Sequence, residues 1–131
     1  MLKLLIYLLF TAEIQAANLD QFLNALGEVE SGNNASATGD GGKAVGVFQI
    51  HEVYWKDAIQ FDKSIGGKYT DCFKPDYSRK IVLAYFRRYA INELNNNNWE
   101  ALARLHNSGP NWKKKKEKTN KYWAKIRAKL T

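Results

Sequence analysis

Two of the chain's thirteen carboxylates sit where chemistry could use them. Glu30 follows Leu26 and Val29 at what reads as a helix end, just ahead of a polar, glycine-rich stretch. Partial burial there disfavours the charged form of a carboxyl, and the negative end of a helix pushes the same way. Such a group can hold a proton near neutral pH and deliver it as a general acid. Asp40 lies within Gly39-Asp40-Gly41-Gly42, a setting that predicts a solvated, ionised carboxylate on a turn. One protonated and one ionised carboxyl in contrasting surroundings are what glycoside hydrolysis uses. By spacing alone, a surface Glu and a turn-forming Asp explain the same two residues.

The elements that must position this pair follow from periodicity. Leu19, Phe22, Leu23 and Leu26 fall at helical spacing, Asn18 or Asp20 can cap the start, and Gly32 can end the helix. Residues 36–48 suit a small β-hairpin with Gly39 to Gly42 at its tip. Ala44 to Ile50 reads either as a short strand or as the start of a helix. Val53, Tyr54, Trp55, Ala58 and Ile59 predict a second helix, which makes Tyr54 and Trp55 core residues. Phe61 to Pro75 reads mainly as loop. Asp76 to Leu94 carries a broad apolar face and predicts the longest helix. Asn95 to Asn98 breaks it, and Trp99 to Leu105 forms another. A turn follows around Gly109-Pro110, and Asn120 to Leu130 closes the chain as a basic helix with Tyr122, Trp123 and Ile126 inward. The expected fold is mainly α: several short helices around one long one, plus the small hairpin.

Composition narrows the class. The chain has 131 residues, a quarter of them charged, which suits one folded domain. Lys3, the apolar run Leu4 to Phe10 and the small residue Ala16 read as a secretory signal peptide over residues 1–16, with 17–131 as the mature domain. The apolar run is too short to span a bilayer. Cys72 is the sole cysteine, so no intramolecular disulfide can form, and with no cysteine-protease signature around it a buried, inert thiol is expected. Net charge is +7, and Lys113 to Lys129 holds nine Lys or Arg against one Glu. That segment attracts polyanions such as an acidic bacterial wall or anionic lipid, or serves as a solvated face. No metal-ligand spacing, cofactor motif or phosphate loop is present, and the basic run contains no nucleic-acid-binding motif.

Glu30-Ser31-Gly32, Asp40, Gly46-Val47-Phe48-Gln49-Ile50 and Tyr54-Trp55 occur in the order found in the invertebrate-type (destabilase-like) lysozymes, which the chain resembles. The resemblance continues through Gly66 to Cys72, Arg88-Tyr89, Ala103 to Pro110 and Tyr122-Trp123, nearly the whole mature chain. It implies an α+β lysozyme-like fold and hydrolysis of β-1,4 bonds between N-acetylmuramic acid and N-acetylglucosamine in peptidoglycan. Glu30 then matches the family's acid and Asp40 its nucleophile or stabiliser, with the carboxyls roughly 5–5.5 Å apart if the reaction retains configuration. Gln49, His106 and Asn107 match positions lining the family's sugar cleft, although Gln49 and His106 read equally as turn-bracing residues. The resemblance implies a secreted monomer, extracellular or in a lysosome-like or phagosome-like compartment, needing no metal or cofactor. Chitin-type oligosaccharides stay open as a second substrate.

Three departures accompany the resemblance. Relatives are usually cysteine-rich, and this chain keeps only Cys72. The loop between Glu30 and Asp40 is slightly shorter than the family's. Some relatives also cleave isopeptide bonds with a Ser and a Lys, and the matching positions here are Lys43 and His51, so no such activity is expected. Two rivals share some of the same residues. Lytic transglycosylases use a single Glu, for which Asp40 is dispensable. A non-enzymatic cationic protein would act through the C-terminal segment alone.

Overall fold

The first expected helix forms as Leu19–Ser31 (α1) in the computed structural model, which describes residues 16–130. The expected signal peptide therefore lies outside the described residues except for Ala16. Asn18 caps α1 reciprocally with Gln21. Asn18 Oδ1 accepts from the Gln21 amide and Gln21 Oε1 from the Asn18 amide, each at 2.8 Å. At the far end, Gly32 sits at φ 68°, and Asn33 N–H returns to the Gly27 carbonyl at 3.1 Å, which closes the helix.

The hairpin is shorter than its sequence window. Thr38–Gly39 (β1) pairs antiparallel with Ala44–Val45 (β2), in register Thr38↔Val45 and Gly39↔Ala44, around a 3-10 turn at Asp40–Gly42. Val45 also bridges Ile50, so residues 46–49 form a second tight turn. The stretch from Ala44 to Ile50 is thus neither a full strand nor a helix start. Helices follow at Glu52–Phe61 (α2), Pro75–Asn95 (α3), Trp99–Ser108 (α4) and Lys116–Lys129 (α5). The backbone of α3 leaves helical geometry at Ala90, with φ −154° and ψ 48°.

Two stretches differ from their sequence reading. The loop between α2 and α3 contains 3-10 turns at Lys63–Ile65 and Tyr69–Phe73. Asp62 Oδ1 accepts from Ser64 N–H at 3.2 Å, and Asp71 Oδ2 from Lys68 N–H at 2.9 Å. Such local side-chain bonds create turns that hydrophobic periodicity does not reveal. Helix α5 starts at Lys116 instead of Asn120, because Thr119 is buried and extends the inward face by a turn.

The chain divides into two compact units, residues 16–25 with 92–130, and Leu26–Ile91. In the first, Phe22 stacks on Trp99 at 4.8 Å between centroids, and Trp99 Nε1 donates to the Ala17 carbonyl at 3.1 Å. Arg104 is buried there. Its Nη1 donates to the Lys116 carbonyl at 2.7 Å and to Thr119 Oγ1 at 2.9 Å, and its Nε to Glu100 Oε2 at 3.1 Å. One guanidinium thereby fastens α4 to the start of α5. In the second unit Ile50, Ala58, Cys72, Ile81, Val82 and Phe86 are fully buried. Tyr54 of α2 stacks on Tyr85 of α3 at 3.6 Å, and Tyr89 meets Tyr85 edge-on at 5.0 Å. Among the described residues no helix is long and apolar enough to cross a membrane.

Candidate active site

Glu30 occupies the last turn of α1 and is half-buried. The helix end that bears it is stitched to the chain beyond the hairpin. Ser31 Oγ donates to the Val47 carbonyl at 2.8 Å and accepts from Asn34 N–H at 3.1 Å. Each such bond contributes about 1 kcal/mol net, and an orphaned partner costs more than that. The approach is close enough to require glycine at position 27. A Cβ there would strike the Asn33 side-chain oxygen and come within 2.6 Å of Val47 Cγ1. Gly46 carries a stronger requirement, since its φ is 78° and a Cβ would overlap the Cys72 carbonyl oxygen. The 46–49 turn is thus locked between α1 and the Tyr69–Phe73 turn.

The field of Glu30 reaches inward to Tyr54. Burial pushes the Tyr54 phenol well above its ordinary value, with further contributions from Tyr85 and from the Glu30 carboxylate. The phenol therefore stays protonated at any working pH. Tyr54 was expected to be plain core, and nothing in its helical spacing marks its nearness to Glu30.

Asp40 stands at the hairpin tip, at φ 50°, its side chain 68 % exposed. This is the solvated setting that the sequence implied. Its carboxylate Oδ2 lies 3.4 Å from His51 Nε2. Gln49, at φ 51°, uses both amide hydrogens on backbone, donating to the Ala37 carbonyl at 3.3 Å and the Gly46 carbonyl at 3.0 Å. It braces the hairpin, and only its oxygen remains to offer a ligand. His106 and Asn107 lie in the other unit, in the last turn of α4, His106 half-buried and Asn107 exposed.

Cys72 is fully buried, and burial pushes its thiol up to about 12, so it holds negligible thiolate near neutrality. This agrees with the inert thiol expected from sequence. Among the described residues no cluster of His, Cys, Asp and Glu is arranged to hold a metal ion.

The chain is 34 % identical over 84 residues to "Lysozyme 1" of Crassostrea virginica, a stretch covering 63 % of this chain and 43 % of that protein. It thus spans less than half the length of this relative. Residues 20–129, from the first turn of α1 to the last residue of α5, match the Destabilase family. With its helices, its two-stranded hairpin and this match along nearly its whole described length, the chain belongs to the Destabilase family.

Proposed function

We propose that this protein is a secreted lysozyme that hydrolyses the β-1,4 bond between N-acetylmuramic acid and N-acetylglucosamine in peptidoglycan. The observation that supports it most is the contrast between Glu30, half-buried at a helix end, and Asp40, exposed on a glycine-flanked tip. In this reading Glu30 protonates the glycosidic oxygen. Asp40 acts on the opposite face of the sugar, as nucleophile or as stabiliser of the oxocarbenium-like transition state, and water completes the reaction. The Gln49 oxygen, His106 and Asn107 contact the sugar. The relative named a lysozyme supports the substrate class. Isopeptide cleavage is not part of this reading, because Lys43 and His51 stand where isopeptide-cleaving relatives have their Ser and Lys.

The basic segment supplies a second, separable property. Lys113 and Lys116 place their ammonium groups 5.8 and 6.0 Å from the Trp112 ring, on the approach to a helix with four further Lys and one Arg. This segment binds the acidic polymers of the bacterial wall through charge.

The test is lysis of Gram-positive walls by the purified protein beside Glu30→Gln and Asp40→Asn. Loss of lysis in both variants, with melting temperatures near wild type, is the expected result. Retained lysis in Asp40→Asn with loss in Glu30→Gln would favour the single-carboxylate transglycosylase. Retained killing in both would favour a cationic binder.

A further inference from the structure

We propose that His51 is a positioning residue that orients the Asp40 carboxylate, a role that rests on the hydrolase reading above. The contact is direct, imidazole Nε2 to Asp40 Oδ2 at 3.4 Å. Asp40 needs such an outside hold because the tip around it supplies no packing. A methyl group added at Gly41 or Gly42 would meet no atom within 4 Å. The Asp40 backbone is set by its left-handed φ of 50° and by the Lys43 N–H donated to its carbonyl at 3.2 Å. Neither interaction selects the direction of the side chain. Among the described residues, His51 is the side chain that engages this carboxylate.

His51 is itself rigidly based. Ile50, just before it, is fully buried and exchanges two backbone hydrogen bonds with Val45, at 3.2 and 3.0 Å. The Tyr69 hydroxyl lies 2.6 Å from the Ile50 carbonyl and 3.0 Å from the Lys43 carbonyl. One phenol thus spans the segment leading into His51 and the segment leaving the Asp40 turn. Directly after His51 the chain enters α2. The neighbouring charge, Glu52, is turned along its own helix toward Lys56 at 3.8 Å.

The chemistry of the pair suits orientation more than strength. A separation of 3.4 Å is longer than an ordinary N–H···O bond, and the side chains are 48 % and 68 % exposed. Water weakens such a pair, so it biases rotamers instead of locking them. A bias suffices here, since rate depends steeply on where the reacting groups are held.

The test compares wild type with His51→Ala and His51→Gln, the latter placing an amide N–H near the Nε2 position. Three-bond NMR couplings report the Asp40 χ1 rotamer without any need for activity. Hydrolysis of a soluble peptidoglycan oligosaccharide gives kcat and KM. A skewed Asp40 rotamer distribution is expected in wild type and His51→Gln, and more evenly averaged couplings in His51→Ala. We expect kcat to fall about tenfold in His51→Ala. KM should stay within about twofold, and His51→Gln should recover most of the rate. Unchanged couplings or unchanged kcat in His51→Ala would overturn the role, as would a His51→Gln variant as slow as His51→Ala. A wild-type protein that shows the rotamer difference but hydrolyses nothing overturns the hydrolase reading, and the catalytic role with it, while leaving the pairing intact.

Discussion

Between Gly27 and Ile50 neutral side chains bond to nearby backbone, whereas between Trp99 and Lys129 one buried guanidinium ties two helices above an apolar core. In the first region the contacts are Ser31 on Val47, Gln49 on Ala37 and Gly46, and a glycine at each point of tightest approach. In the second, Arg104 reaches a carbonyl, a hydroxyl and a carboxylate that belong to α4 and α5. The first region carries both candidate carboxylates and sets their backbone positions through hydrogen bonds and close packing. The second carries half of the Lys and Arg residues, nine of them from Lys113 onward. In the reading proposed above, the two reacting carboxylates and the basic surface lie in different stretches of sequence, so the loss of one can be tested apart from the loss of the other.

The comparison breaks most visibly at Gly46. Gly46→Ala combines a left-handed backbone with overlap on the Cys72 carbonyl, and should cost about 3–5 kcal/mol or prevent folding. Urea unfolding measures it, and a loss below about 1 kcal/mol would mean that the turn is softer than argued. In the other region, Arg104→Ala should cost about 2–3 kcal/mol by removing a buried charged donor shared by the Lys116 carbonyl and the Thr119 hydroxyl.

The separation of roles is sharpened by neutralising Lys113 to Lys116 together. Binding to an anionic wall polymer should weaken at least about tenfold at low salt, with the difference shrinking as salt rises. Hydrolysis of a short neutral oligosaccharide should not change. A parallel fall in both would mean that the two regions share one function.

The smallest effect expected is a pH dependence at Asp71. The Lys68 N–H and then Lys74 hold its carboxyl below the usual carboxylate value. A depressed acid stabilises the fold above its ordinary value, and that contribution is lost as pH falls through the depressed one. Asp71→Asn should therefore melt lower than wild type near neutrality, and the two curves should converge in acid. Melting temperatures across that range read it directly.

How much of this was legible in the sequence depends on distance along the chain. Helix α1 announces itself through Phe22, Leu23 and Leu26, and its ends through Asn18 and Gly32. The hairpin tip announces itself through three glycines around Asp40. The types and settings of Glu30 and Asp40 were readable for the same local reason. The contact between Asp40 and His51 was not, because it depends on the 46–49 turn folding Ile50 back onto Val45. That turn depends in turn on Gly46 lying against Cys72, which is far away in sequence. Thr119 likewise fell outside the expected helix of Asn120 to Leu130, because the Arg104 that meets its hydroxyl is distant in sequence. Tyr54 was legible as an inward aromatic, but the reach of the Glu30 charge to its phenol was not, because the two residues are far apart in sequence.

The central claim is that water, through Glu30 and Asp40, breaks the glycosidic bond. Digestion of purified peptidoglycan in heavy-oxygen water, followed by mass spectrometry of the fragments, tests it most directly. The account predicts reducing-end muramic acid carrying one heavy oxygen, absent from Glu30→Gln and Asp40→Asn digests. Anhydro-muramic ends without label, still formed by Asp40→Asn, would contradict it.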